Sequence, residues 1–480
     1  MFATFALVAF AVLLAAAVWM GGLNQDEGWY VYAATLVGDG KMPYRDFAFT
    51  QGPVMPIVYS AFAFAWAKGG VLGARLLTAA IGCLGLFFAM ALAGRLADDG
   101  RRRFAALTAF FLLGCNLYHL YYTVIPKTYA LAGLFVLTGF FLASFIVRPA
   151  AGVRLASFLD AACPLGSGLS LAFAAGTRVS LGALLMALGV WLLATRRWRQ
   201  LAWFCVGGFG GLALVYGPFF ADAGARAGFF AAQAYHAARG GFDPTFAVGS
   251  LSRLVRWYLP VFLLAGLGAC SLVRQFPFWG FLAVFAVQIC APFPYEDYQV
   301  PVVGLLAVAV AVAYSGRKGA TMLPVLGLAY ACAFGSPLLE KWTTNGQDRF
   351  WTRKKSSFEL AQLREVARRI EALDPGGGKI LTQDTYLAVE TGRRVPEGLE
   401  MGPFAMLSEA RWNEILLEAE CPVAALSGYS FAISPPVCDE TPFERQLDRW
   451  SLLKRHYDLA FKEEDFGQNA TTLLVLKRKP

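Results

Sequence analysis

Two adjacent carboxylates, Asp26 and Glu27, stand in the segment NQDEGWYVYAA beside Trp29, Tyr30 and Tyr32. An ionised carboxylate at the edge of an apolar medium loses hydration, and a like-charged neighbour adds to that penalty. A general base of raised pKa is therefore one chemistry the pair offers. Capping is the other: Asp26 at the head of a helix over 27–38 would satisfy free amides at the positive end of the helix dipole. Downstream come Lys41, Tyr44, Arg45 and Asp46, then Gln51-Gly52-Pro53. Arg45 beside Asp46 reads either as an exposed ion pair or, with Lys41, as a cationic site for phosphate. Lys127 in IPKTY and Arg178 in AAGTRVS are further cations at the ends of apolar stretches. A guanidinium there needs water at the interface, a carboxylate such as Asp160, or a bound anion. Glu296-Asp297, flanked by Tyr295 and Tyr298, either lines a pocket or forms a solvated turn. No CxxC and no His/Cys cluster marks a zinc site.

The elements that must hold these groups are set by composition. Of 480 residues, 57% are hydrophobic and 16% charged, against about 45–50% and about 25% in soluble domains. Mean hydropathy is +0.51. Disorder, a coiled coil and an ordinary aqueous enzyme are excluded, because the apolar residues come in blocks that no single core could bury. A helix needs about 20 apolar residues to cross a bilayer. Eleven spans are expected near 3–22, 73–94, 104–123, 129–147, 155–175, 179–195, 200–219, 257–273, 277–293, 299–315 and 320–336. The first lacks a basic leader and an A-x-A site, so it is expected to be retained.

Charge orients them. Arg95 with Arg101–Arg103, Arg148 with Arg154, Arg196, Arg197 and Arg199, then Arg274, then Arg317 with Lys318 occupy one set of loops. The other set holds Asp26, Glu27, Asp39, Asp46, Asp222, Asp243, Glu296 and Asp297. Basic loops stay cytoplasmic, so the N-terminus is expected inside and, with an odd number of spans, the tail outside. Residues 24–52 form a long outer loop, 53–68 an interfacial helix, and 221–254 amphipathic helix over the outer face.

From Pro337 the chain changes character: this tail carries 20 Lys+Arg and 22 Asp+Glu of the chain's 42 and 33. The basic excess thus belongs to residues 1–336, where it reports topology and not nucleic-acid binding. Helical spacing over 356–373, a turn at DPGGGK, a strand in GKILTQD and a last strand TTLLVLKR predict a small α/β domain over 337–480. The fold class expected is an all-α polytopic membrane domain over 1–336 with a C-terminal soluble α/β domain outside. Seven of nine cysteines lie in apolar helix; Cys421 and Cys438 leave a disulfide open.

The run DEGWYVYAA, then G-K-x-P-Y-R-D, then G-P-V-x-P-I-x-Y, then G-A-R-L at 73–76 resembles the start of the GT-C-type membrane glycosyltransferases. Their bacterial branch related to protein O-mannosyltransferases, aminoarabinose lipid A transferases and Rgt-type lipopolysaccharide sugar transferases is the most similar. SGLSLAFAAGTRVS at 167–180 and FPYEDYQVP at 293–301 add to the likeness, which covers most of residues 1–336. The resemblance implies transfer of a sugar from a polyprenyl-phosphate carrier to an acceptor hydroxyl at the outer face of the inner membrane, with inversion. It places the essential acid of the first outer loop on Asp26, with Glu27 as neighbour or substitute. It suggests Arg178, Arg45, Lys41 and Lys127 for the donor phosphate, and Tyr30, Tyr44, Asp46, Glu296, Asp297 and Tyr298 for the substrate pocket. Relatives often carry an acid near position 127, so Lys127 departs from them and leaves a second carboxylate and a divalent metal open. The rival expectation is a transporter or flippase of lipid-linked sugars; the absence of an internal repeat and the gathering of charges at one face weigh against it.

Overall fold

The protein is described by a computed structural model covering residues 2–148, 156–238, 240–315, 358–405, 407–428, 450–468 and 470–480. The expected span at 320–336, the loops with Arg154 and Arg317, the 336/337 boundary and Cys438 fall outside these. The chain is a multi-pass membrane protein: among the described residues five helices are long and apolar enough to cross a bilayer, or up to seven if each bent pair is one span. These are α4 (Phe64–Leu96), α7 (Thr128–Val147), α8 (Ala156–Thr177), α10 (Trp198–Ala221) and the segment ending in α16 (Val300–Ser315). Helix α16 runs buried through the middle, while Phe87, Met186 and Phe209 stand exposed on the outside. Large apolar side chains turned outward suit hydrocarbon, not water.

The span expected at 3–22 is α1 (Phe2–Met20); α2 (Gln25–Gly38) follows it at a bend of 82°, within the stretch expected as outer loop. Several other expected spans are broken. The expected span at 104–123 is two helices, α5 (Arg102–Gly114) and α6 (Leu117–Val124), bent by 72°. At that bend Asn116 accepts from the His119 amide and donates to the Trp257 carbonyl, so its side chain supports the turn within an apolar run. The segments expected at 179–195 and 277–293 yield shorter helices, α9 (Ala183–Ala194) and α15 (Phe276–Ile289). Residues 257–273 are divided between the end of α12 (Pro244–Trp257), α13 (Leu259–Leu267) and α14 (Ala269–Leu272). The interfacial helix expected at 53–68 reduces to α3 (Val54–Ser60), because 64–69 joins α4 ahead of a break at Gly70. Over 221–254 lie α11 (Ala223–Ala237) and most of α12.

The tail holds a four-stranded sheet of order β1-β2-β4-β3, formed by β1 (Ile380–Leu381), β2 (Val423–Ser427), β3 (Tyr457–Phe466) and β4 (Thr471–Arg478). Strands β1 and β2 are parallel; β2–β4 and β4–β3 are antiparallel. Helix α17 (Glu359–Leu373) buries Leu360, Leu363, Val366 and Ile370, spaced to share one face. Helix α18 (Thr385–Thr391) docks directly on α2. A Cβ on Gly28 would lie 2.1 Å from the Tyr386 backbone nitrogen, so only glycine allows this approach. The Tyr32 hydroxyl accepts from the Val395 amide at 2.9 Å, and Arg394 pairs with Asp39 at 2.6 Å. Glu359 accepts from the Leu23 amide, and Glu390 from that of Val71. The α/β unit thus clasps the bend that carries Asp26 and Glu27.

Candidate functional site

Asn24 ends the turn after α1 and caps α2: its side chain accepts from the Asp26 amide, while Glu27 accepts from the Asn24 amide in return. The capping carboxylate is thus Glu27, not Asp26, and Asp26 is left to point elsewhere. It meets Lys127, whose Nζ lies 2.8 Å from Asp26 Oδ2 and 3.2 Å from Asp297 Oδ2. Asp297 also accepts from the Tyr129 hydroxyl at 2.9 Å. Lys127 follows the end of α6, Tyr129 opens α7, and Asp297 lies in the turn before α16. Three separate segments therefore converge on one ionic chain: carboxylate, ammonium, carboxylate. Asp297 and Lys127 are buried, whereas a quarter of the Asp26 side-chain surface remains accessible. A buried ammonium without carboxylates would be several kcal/mol uphill, on the order of the effective desolvation penalty per ion. The two carboxylates hold it here.

Arg178 joins the group from the end of α8. Its guanidinium lies 4.9 Å from the Tyr129 ring centroid and 4.7 Å from that of Tyr298, and donates to Thr128 Oγ1 at 3.1 Å. Among the described residues its Nε has no hydrogen-bond partner. Two ring faces stabilise the cation without neutralising it. The alternative partner Asp160 is taken elsewhere, by Arg199 at 3.4 Å and Gln200 at 2.7 Å. The first outer loop reaches the same place: a Cβ on Gly52 would lie 2.0 Å from the Gly176 carbonyl oxygen, two residues before Arg178.

Glu27 belongs to a different assembly. It is fully buried and forms a two-pronged pair with Arg75 of α4 at 2.7 and 2.8 Å. Arg75 also donates to the carbonyls of Val18, Gly21 and Gly22. Those are the unsatisfied acceptors at the end of α1, so the pair ties the bend together. Sequence reasoning misses Arg75 as a site residue. Its signal is an arginine inside an apolar stretch, where a charge must have a partner.

The other expected residues lie at varied places. Tyr30 is buried on α2 against Trp29, with ring centroids 4.4 Å apart. Tyr44 packs among Phe49, Phe219 and Phe229, and its hydroxyl donates to the Gln51 carbonyl. Arg45 is half-exposed and paired with Asp46 at 2.8 Å and Asp222 at 3.6 Å. The Arg45 hydrogen bond and the Met42 amide lower the Asp46 carboxyl to about 2. Lys41 is exposed. Glu296 pairs with Arg253 of α12 at 3.1 Å and accepts from Ser250. These contacts join Asp26, Lys127, Asp297, Arg178 and Tyr298 into one group, and join Arg45 and Asp46 separately. Among the described residues no three His, Cys, Asp or Glu side chains gather as a metal site. Between Asp26 and Asp297, where a bridging cation would sit, stands Lys127.

No family model and no curated protein matches the chain. Solved structures do. ArnT from Cupriavidus metallidurans bound to undecaprenyl phosphate superposes with TM-score 0.60 at 15% identity, over 99% of this chain and 97% of that one. The apo form of the same protein gives 0.62 at 15%, over 99% and 98%. The archaeal oligosaccharyltransferase AglB from Archaeoglobus fulgidus, in complex with an inhibitory peptide and a dolichol-phosphate, gives 0.52 at 12%, over 88% and 69%. The chain has the fold of the GT-C-type glycosyltransferases.

Proposed function

We propose, on the premise of that fold, that this protein is a GT-C glycosyltransferase that moves a sugar from a polyprenyl-phosphate carrier to an acceptor hydroxyl. The single observation that carries the reading is the convergence of Asp26, Lys127 and Asp297, with Arg178 beside them. Inversion by one displacement requires a base on the acceptor and positive charge at the leaving phosphate; on this reading Asp26 supplies the first, and Lys127 with Arg178 the second. Asp26 takes the acceptor proton. The acceptor oxygen bonds to the anomeric carbon, the carbon–oxygen bond to phosphate breaks, and that electron pair leaves on the phosphate oxygen. Lys127 and Arg178 receive the charge. A carboxylate bound to an ammonium is a weak base, so donor binding also activates the base, because its phosphate draws Lys127 away and frees Asp26. Asp297 and Tyr129 hold Lys127 in reach throughout. Two fold relatives, ArnT and AglB, were solved with undecaprenyl phosphate and a dolichol-phosphate, which supports a lipid phosphate here.

On this reading Tyr30, Tyr298 and Glu296 belong to the substrate pocket, while Arg45 and Asp46 form a separate ion-paired group with Asp222, in the same loop as Lys41 and Tyr44. Glu27 serves the scaffold. The reading puts residues 1–336 in the inner membrane as the catalytic domain, with the N-terminus cytoplasmic and Asp26 and the domain over 337–480 outside. The basic residues Arg95, Arg148, Arg196, Arg197, Arg199 and Arg274 at the other helix ends support that orientation. The test is mass spectrometry of envelope glycans and lipid carriers from cells with and without the gene. Loss of one glycan substituent, with build-up of its lipid-linked donor, is expected. Unaltered glycans with donor stranded on the inner leaflet would favour a flippase instead.

A further inference from the structure

A second polar feature lies at the far end of the bundle from Asp26. The 20 residues of α7 run from Thr128 at the ionic chain to Val147, about 30 Å away at the helical rise. There a cavity of about 280 Å³ opens among Arg148, Trp191, Val273, Arg274, Phe276 and Trp279. Its walls are aromatic: Phe276 stacks on Phe140 at 5.4 Å and on Trp191 at 5.9 Å. Trp279 is held by a hydrogen bond from its indole to the Val273 carbonyl, and both residues are about half-exposed towards the outside of the bundle. The cations differ in their commitments. Arg148 donates to the Ala97 carbonyl at 2.8 Å and meets Asp98 at 3.4 Å. Arg197 stacks over the Trp191 indole at 5.8 Å and donates to the Ile146 carbonyl. Among the described residues Arg274 has no carboxylate partner.

We infer that this cavity binds the phosphate of an anionic phospholipid headgroup. Basic residues at helix ends are ordinary topology signals, but Arg148 and Arg274 line a pocket between helices at the basic end of the bundle, the arrangement that recognises lipid phosphates. Arg274 contributes the fork for the phosphate oxygens, and Arg148 and Arg197 add positive field. The volume accommodates a glycerophosphate head and not its chains, which leave past Trp279 and Val273 into the bilayer.

Native mass spectrometry of the full-length protein from micelles holding phosphatidylglycerol and phosphatidylcholine in equal amounts tests this. One phosphatidylglycerol is expected to stay bound, at least five-fold above phosphatidylcholine. Arg274→Gln should bring it to the phosphatidylcholine level, and Arg274→Lys should keep part of it. Arg199→Gln, an exposed charge at the same end paired with Asp160, should keep all of it. Equal retention by Arg274→Gln and the unaltered protein overturns the site. So does inorganic phosphate that protects the protein thermally through Arg274 while phosphatidylglycerol shows no preference, since the ligand is then free phosphate. Sugar transfer is not read in any arm, so the outcome stands apart from the proposed activity.

Discussion

Asp26 and Glu27 share a helix turn and a chemistry, yet their surroundings diverge. Successive helix positions point about 100° apart, so one side chain faces the convergence of α6, α7 and α16 while the other faces α4. Glu27 is sealed, with none of its side chain accessible, and every contact it makes serves the backbone bend. Asp26 is a quarter accessible, and its partner Lys127 is shared with a second carboxylate. The two pairs serve different ends. A pair whose arginine also satisfies three helix-end carbonyls is committed to shape. A pair whose lysine has two places to go, beside an arginine held by two rings and a hydroxyl, can change partners during a reaction.

That contrast can be broken from either side. The largest expected effect is on stability at Glu27: Arg75→Met leaves a buried carboxylate uncompensated and should cost about 3–5 kcal/mol. Thermal unfolding in detergent reads it, and an unchanged midpoint would remove Glu27 from the scaffold. Lys127→Met should lower transfer about 10²-fold, the order seen when a single charge-stabilising donor is lost. Steady-state rates with saturating donor measure this, and a wild-type rate would deny Lys127 its role at the phosphate. Gly28→Ala should force α18 off α2 and cost about 1–3 kcal/mol, as overpacking does. Limited proteolysis of the α/β unit would show faster cleavage. The smallest effect concerns pH. Burial raises the Glu400 carboxyl above its ordinary value, so the folded chain holds this proton better than the unfolded one. Stability from this group is present in acid and lost as pH rises from the unfolded value through the folded one. Glu400→Gln should flatten that part of the unfolding-temperature profile.

Much of the frame is legible in the sequence because hydrocarbon imposes length: α7, α8, α10 and α16 lie where long apolar runs predict them. The bends are not. Cys115-Asn116 sits inside an apolar run, and Asn116 supports the turn partly through the Trp257 carbonyl, 141 residues away. The family resemblance draws attention to Asp26, and charge draws it to Lys127, Arg178 and Asp297. Nothing local joins Lys127 to Asp297, which are 170 residues apart. Glu27 reads as a second acid because its partner Arg75 lies 48 residues on, in a stretch that reads as a membrane span. Tertiary partners separate the two carboxylates, and spacing along the chain carries no trace of that.

The proposed chemistry stands or falls on Asp26 removing the acceptor proton. The decisive experiment is the transfer rate of purified Asp26→Asn in nanodiscs, with the unfolding temperature measured on the same sample. A fall of at least about 10²-fold in rate, with the unfolding temperature kept, is expected. A folded Asp26→Asn protein that transfers sugar at the rate of the unaltered one would refute the assignment.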